Sequence, residues 1–566
     1  MTERTVEQER ELIRDARGRG RMGKLGLYAR LSGPGWLQGA ITLGGGSLAG
    51  SLYLGVLGGV SLLWLQPVAM IMGVIMLSAI GYVTLSTGER PMRAITRHVN
   101  PVLGWGWAIA TLMANLVWAL PQFSLGTAAI RQNLLPGIFG PGGMPDWLDK
   151  MIVCGVILAI SITMVWSYGS GRAGVRLFEV VLKLMVGVIV VSFFGVIVKM
   201  SVTGDGLQWG RILAGFVPDF ALCASPAETF TPYLEALEPR VRDLWTGIIV
   251  GNQRDVMITA AATAVGINMT FLFPYSMLKK GWDGEFRGFA IFDLAIGLFV
   301  PFVLATSCVV VASAAQFHTR PAPGLLGETN ATGAVIEPAE KMQAGYQALC
   351  VWRLRFELAP GEFESLGAGQ RNERIAALPL ADRRLAAMLV KRDAFDLALS
   401  LAPLTGDVVA QRVFGIGVFG MAVSTTIILM LINGFVVCEM LGAPAQGAVF
   451  RFGCLMPAVG ALGPFFWKQA APWLAVPTSI FGMTLLPIAY FTFFMMMNHK
   501  KLLGPHLPTG AKRVVWNLLM AVAASLAAFG SLWAVWNKAR GKGLAVVAGF
   551  ILLVLVAHFA RRRRAR

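Results

Sequence analysis

A chain of 566 residues that is 55% hydrophobic and only 14% charged, with a mean hydropathy of +0.63, lies far outside the balance of a soluble globular protein. The formal charge of +18 does not mark a nucleic-acid binder, because the basic residues sit in the termini and in short loops between apolar runs, the signature of a positive-inside membrane topology. Six cysteines, Cys154, Cys223, Cys308, Cys350, Cys438 and Cys454, have no CxxC spacing, which argues against a zinc site and a disulfide framework; no cofactor is expected.

Residues 1–30 read as a charged cytoplasmic tail, in which Arg10, Arg14, Arg17, Arg19 and Arg21 make the segment too polar for a signal peptide. A spanning helix needs about 20 mainly apolar residues, and such stretches fall near 34–57, 60–86, 101–134, 150–167, 177–200, 256–278, 288–316, 410–440, 446–467, 471–498, 514–536 and 543–560. The predicted fold class is therefore all-α, a polytopic membrane bundle with about 12 transmembrane helices. Loops bearing Arg90, Arg93 and Arg97, then Arg172 and Arg176, Lys279, Lys280 and Arg287, and Lys500, Lys501, Lys512 and Arg513 fall on one side if the N-terminus is inside. The basic tail 561–566 lands there too, whereas Lys538, Arg540 and Lys542 fall outside. The expected location is the plasma (inner) membrane, with both termini cytoplasmic.

Two segments interrupt the hydrophobic runs. An external loop over 201–255 carries Ser225-Pro-Ala-Glu228, a capping-box spacing that can start a short surface helix. Residues 317–409 form a polar external insertion, read as a small domain or mobile loop, with ligand binding or gating as the alternative. The domain order is thus 31–316 (spans 1–7, the first repeat covering about 33–200), the insertion, 410–500 (spans 8–10) and 514–560 (spans 11–12).

The first span contains Gly44-Gly45-Gly46-Ser47. Three successive glycines are poor helix formers, so the helix should unwind there and expose backbone groups, tolerated in a membrane only inside protein or along a cavity. Close helix packing through small residues is the alternative. The sixth span carries Gly266 and Pro274 around Asn268 and Thr270, the natural second break. Interruptions at the first and sixth spans are what a five-plus-five inverted repeat produces, with solute held between them.

Gly33-Pro-Gly35 through Ser61-Leu-Leu-Trp64, Asp293-Leu-Ala-Ile through Gln316-Phe-His318, Glu179 after Arg176, and Ser424-Thr425-Thr426 with Glu439 together resemble the NRAMP family of divalent-metal transporters, which has the LeuT-type fold. The resemblance runs through the first ten spans. It implies metal ligands in an Asp-Pro-Gly-Asn run, which here falls on Gly44, Gly45, Gly46 and Ser47. The family's Met-Pro-His falls on Asn268, Met269 and Thr270, its second sixth-helix histidine on Tyr275, and the acidic pair of its third helix on Leu120 and Phe123. The metal ligands of this chain are therefore unassigned, and proton coupling loses its expected carriers. All five histidines lie at or near span ends or in loops.

Uncharged oxygen dipoles suit a hard, largely hydrated cation better than a soft transition metal. The leading expectation is an NRAMP-like secondary transporter for a cation, with a divalent metal as its partner, through Gly44–Ser47 and Asn268–Thr270, and with Thr42, Gln122, Tyr275 and Asn433 as pathway residues. The alternatives are a LeuT-fold carrier of an amino-acid-like solute, held by the glycine amides, and a non-transporting sensor. A membrane enzyme is disfavoured, since no hydrolytic His, Cys or acid pair clusters in the spans. Asn115 reads as a helix bridge, Lys183 as the i,i+4 partner of Glu179, and Trp64, Trp105, Trp107 and Trp147 as an interfacial belt.

Overall fold

The computed structural model describes residues 6–18, 25–28, 31–140, 143–168, 172–203, 206–330, 333–359, 361–406, 408–466 and 475–564. Arg19 and Arg21 of the tail and residues 471–474 of the tenth predicted span lie outside them. Numbering the longer helices in chain order, α1 is Val6–Gly18, α2 Pro34–Thr42, α3 Gly45–Gly58, α4 Leu65–Thr87, α5 Pro101–Ala129, α6 Asp146–Tyr168 and α7 Arg172–Val202. There follow α8 Pro239–Ala264, α9 Ile267–Lys280, α10 Arg287–Leu294 and α11 Val300–Phe317. The insertion supplies α12 Glu340–Glu357, α13 Leu380–Leu389 and α14 Ala394–Thr405, and the chain ends with α15 Phe414–Met440, α16 Gly447–Leu455, α17 Ala475–Met497 and α18 Gly510–Arg564.

Among the described residues, 10 helical stretches are long and apolar enough to cross a membrane, and the bent pair α2/α3 makes 11. The last stretch, α18, has 55 residues, roughly 80 Å at 1.5 Å per residue, more than twice a bilayer's hydrocarbon thickness. Its backbone turns at Arg540 (φ 50°, ψ −141°), so it is two helices end to end, where the sequence predicts spans eleven and twelve. The breaks fall in the first and sixth spans, five apart.

Several boundaries differ from the hydropathy reading. Helix α8 starts at Pro239, so much of the predicted loop 201–255 is helix; Arg240, Arg242, Asp243 and Arg254 lower the hydropathy without breaking backbone hydrogen bonds. Gln253 holds the remaining loop down, accepting from Ala227 N (3.0 Å) and donating to Leu222 O (2.8 Å) and Ser225 O (2.9 Å). Ser225 does not cap a helix: its hydroxyl donates backward to Ala221 O (2.9 Å). Trp107 and Trp64 are buried, not interfacial, whereas Trp105 and Trp147 are exposed. Trp105 and Trp107 sit on different faces of α5, because two residues along a helix is about half a turn.

The insertion is folded and docked. Asp382, 2% exposed, accepts from Trp245 Nε1 of α8 (2.6 Å) and from Arg353 Nε of α12 (2.9 Å). Arg392 donates to Phe317 O (3.3 Å) and Arg320 O (2.5 Å). Lys341 Nζ lies 2.8 Å from both Asp393 Oδ2 and Asp396 Oδ1, while Asp393 Oδ1 caps α14 by accepting from Phe395 N and Asp396 N.

Removing one partner of a buried pair leaves the other charge uncompensated, at about 3–5 kcal/mol. Asp382→Ala should therefore lower the thermal unfolding midpoint of the detergent-solubilised protein well beyond an exposed substitution such as Glu373→Ala. Burial, then repulsion from Asp393, pushes the Asp396 carboxyl up to about 6, with Lys341 pulling the other way. A carboxyl raised above its ordinary value near 4 contributes most below that value, and its contribution is lost as pH climbs through about 6. Lys341→Gln should consequently lower the midpoint more at pH 7, where Asp396 is ionised, than at pH 5; an equal loss at both would show that the ammonium does not hold that carboxylate.

Candidate functional site

The first break is short. Helix α2 ends at Thr42, Leu43 and Gly44 are non-helical (Gly44 φ −129°, ψ −176°), and α3 resumes at Gly45, bent from α2 by 55°. Gly45, Gly46 and Ser47 are thus the first turn of a helix, and the unwound stretch is narrower than the glycine run predicts. In lipid every freed backbone group needs a protein partner. Thr42 O accepts from Gly44 N (2.9 Å) and Ser47 Oγ (2.5 Å). Ala40 O accepts from Ser424 Oγ (3.0 Å), and Ile41 O from Thr425 Oγ1 (3.3 Å), both on α15. Gly45 N donates to Gln122 Oε1 of α5 (2.9 Å).

These partners reach the backbone because the glycines have no side chains. A Cβ on Gly44 would lie 2.4 Å from Thr425 Oγ1, and one on Gly46 would lie 2.8 Å from Thr263 Cγ2. Unwinding and close packing, alternatives from sequence, are both present.

In the second break, Val265 and Gly266 are extended between α8 and α9. Pro274 lies inside continuous helix α9, so the predicted unwinding does not reach it. Asn268, Met269 and Thr270 form the first turn of α9, where Asn268 Oδ1 accepts from Met269 N (2.8 Å). The breaks meet at Thr42: its Oγ1 sits 3.1 Å from Met269 Sδ and 3.3 Å from Ala264 O. Trp118 of α5 wedges against Gly266, whose Cβ would come 2.2 Å from the indole.

Not every predicted site residue joins this centre. Thr270 turns to α5, accepting from Trp107 Nε1 (2.9 Å) and donating to Ile267 O (2.5 Å). Tyr275 lies farther along α9, its hydroxyl accepting from Met92 N at 3.5 Å. Asn433 accepts from Asn115 Nδ2 (2.7 Å), a bridge between α15 and α5. Gln38, one turn before Thr42, went unremarked in the sequence; a carboxamide inside the apolar run of the first span was the signal. It is fully buried, and neither Oε1 nor Nε2 has a hydrogen-bond partner among the described residues.

No acid enters the centre, and among the described residues no group of three or more His, Cys, Asp or Glu is placed to hold a metal ion. Charge gathers instead at the start of α2. Asp293 accepts from Ser32 Oγ (2.5 Å), Gly33 N (2.9 Å) and Gly35 N (2.6 Å), the arrangement expected of an anion at a helix N-terminus. Glu179 pairs with Lys280 (3.0 Å) and not with Lys183, whose ammonium donates to Ser32 O. On the opposite side of the break, a cavity of about 330 Å³ has Gly45, Leu48 and Leu125 on its membrane side and Lys341 with Lys391–Ala394 of the insertion over it.

The profile of the family described as "Natural resistance-associated macrophage protein-like" matches residues 35–344 and 383–533, with an internal gap over the middle of the insertion. The chain is similar to the metal transporter Nramp3.1 of Populus trichocarpa, 30% identical over 172 residues, a stretch covering 30% of this chain and 31% of the length of that relative. Among solved structures it resembles a mutant of the manganese transporter of Eremococcus coleocola, at 13% identity, 95% coverage of both chains and a TM-score of 0.52. It also resembles the same transporter bound to an aromatic bis-isothiourea compound, at 13% identity, 96% and 97% coverage and a TM-score of 0.54. The structural likeness carries the LeuT-type architecture, and the family match, spanning most of the sequence and both breaks, makes this chain a member of the NRAMP family.

Proposed function

We propose that this NRAMP-family protein is a secondary transporter that moves a divalent metal cation across the plasma membrane by alternating access, with both termini cytoplasmic. The observation that carries this reading is the meeting of two broken helices at Thr42, Ala264 and Met269, between a roofed cavity on one side and buried polar residues on the other. Its relatives include proteins named for metal and manganese transport.

The centre offers carbonyls of the α2 and α8 ends, the hydroxyls of Thr42 and Ser47, the Gln122 carboxamide and the Met269 thioether. It offers no carboxylate. A dication here keeps part of its water shell, whose hydrogens the carbonyls and hydroxyls accept, as a reluctantly dehydrating ion such as Mg²⁺ prefers. The hydroxyls now capping Thr42 O and Ala264 O can turn away and release those carbonyls to the ion. Entry is past Lys341 and Asp393, so the insertion forms the mouth of the outer vestibule.

Reconstituted protein should take up Mg²⁺ and Mn²⁺ into proteoliposomes and leave a panel of amino acids outside; uptake of an amino acid with neither metal would sink the proposal. A Cβ on Gly45 would sit 3.1 Å from Leu125 Cδ2 and 3.2 Å from Gln122 Oε1, so Gly45→Leu should fill the site, reducing uptake by at least about tenfold, equivalent to about 1.4 kcal/mol, while the protein still elutes as a folded species. Thr42→Val keeps the shape and deletes the hydroxyl joining the breaks. It should raise the KM for uptake several-fold with little change in unfolding temperature.

A further inference from the structure

Helix α5 acts as a ruler for the solute path. Trp107, Thr111, Asn115, Trp118 and Gln122 recur at three- and four-residue intervals and so share one face. Their contacts set the order of levels: Gln122 holds Gly45 at the first break, Trp118 covers Gly266 at the second, Asn115 bonds Asn433 of α15, and Trp107 bonds Thr270 of α9. Leu125, one turn beyond Gln122, borders the insertion-roofed cavity. The residues from Asn115 to Trp107 therefore lie on the far side of the breaks from that cavity.

Polar atoms go unpaired here. In this interval Thr111 Oγ1, Asn115 Oδ1 and the Asn433 Nδ2 that faces it from α15 have no partner among the described residues; nor does Asn268 Nδ2, in the first turn of α9, or either polar atom of Gln38, one turn before Thr42 on α2, and all five residues are fully buried. An unmade hydrogen bond at a buried group costs about 1–3 kcal/mol, and more than nine in ten buried polar groups are satisfied. Five such residues from four spans, two of them hydrogen-bonded to each other, are not explained by packing. Below them the interval is stoppered by aromatic rings: Trp107 lies 4.5 Å from Phe271 and 5.4 Å from Phe493, and Phe271 stacks on Tyr275 at 4.5 Å.

The geometry points to a second solute station beneath the breaks, in which Gln38, Thr111, Asn115, Asn268 and Asn433 receive a divalent cation as its aquo ion and the Trp107–Phe271–Tyr275 stack is the barrier to release. It rests on the transport reading above and deepens it. The acceptor oxygens of Gln38, Thr111 and Asn115 take hydrogens from metal-bound water, and the amide donors of Asn268 and Asn433 meet water outside that shell. The station carries no fixed charge, so it passes the ion on without exchanging a proton for it.

The double variant Asn115→Leu/Asn433→Leu separates this role from a structural bridge. Replacing both members of a buried polar pair by apolar groups of similar shape is nearly neutral or stabilising. We expect an unfolding temperature at or above that of the wild type, with Mg²⁺ uptake in proteoliposomes reduced by at least about tenfold in maximal rate; Gln38→Leu should behave likewise. Thr111→Cys, in a Cys223→Ser background because Cys223 is the one cysteine not fully buried, should be modified by cationic 2-aminoethyl methanethiosulfonate, and uptake should then stop. Wild-type uptake by both leucine variants with no modification at position 111 would overturn the station. Modification at position 111 in a protein whose parent takes up neither Mg²⁺ nor Mn²⁺ would support the station and overturn only the choice of a cation as its solute.

Discussion

A backbone N–H or C=O in the core of a bilayer has no water to turn to, and the architecture of this protein follows from satisfying two sets of them at once. Where α2 stops at Thr42 and α8 stops at Ala264, carbonyls lose their helical partners. Ser47, Ser424, Thr425 and Thr42 supply hydroxyls to them, and Gln122 supplies an acceptor to Gly45 N. These partners come from α3, α5 and α15, so three helices must close on a stretch of chain a few residues long. Only glycine leaves room: with a Cβ at Gly44 the Thr425 hydroxyl would have nowhere to sit. The glycine run is thus the condition for both the break and its repair.

A site repaired by hydroxyls and carboxamides differs in kind from one repaired by charge. Among the described residues no carboxylate stands at the centre, where hydroxyls, a carboxamide and backbone carbonyls are the polar groups. The charges that exist are placed where they hold helices. Asp293 fixes the start of α2 through Gly33 N and Gly35 N, with Gly35 so close to α10 that a Cβ would meet Asp293 O at 2.1 Å. Lys341 ties α12 to the first turn of α14 over the cavity.

The spans and both breaks were legible because length, hydropathy and glycine clustering act locally. What was misread depended on partners that only the fold supplies. Lys183 and Glu179 satisfy the i,i+4 rule, yet Lys280 arrives from another span and takes the carboxylate. Pro274 marks a break in sequence, but the chain has already changed direction at Val265–Gly266, and one missing hydrogen bond within α9 is tolerable. Distance from a span end groups Trp107 with interfacial tryptophans, although its position on the inward face of α5 decides its environment. A lone carboxamide in an apolar run, such as Gln38, has no sequence pattern; its significance appears only when neither of its ends finds a partner among the described residues.

The two halves of the first span are held by separate parts of the molecule. The α2 half is fixed at its start to α10 through Asp293 and to α7 through Lys183. The α3 half is set against the insertion, which is pinned in turn to α8 by Asp382 and to the end of α11 by Arg392. Between them stand only Leu43 and Gly44, with the hydroxyls of Ser47 and Thr425 as their fastenings. Helices α2 and α9 are held to α5 and α15 by the bonds at Ser424, Thr425 and Thr270, single neutral hydrogen bonds worth about 1 kcal/mol each. The side roofed by the insertion is held by ion pairs and a buried carboxylate. The charged fastenings are therefore on the insertion side, and the neutral ones lie where α2 and α9 meet α5 and α15.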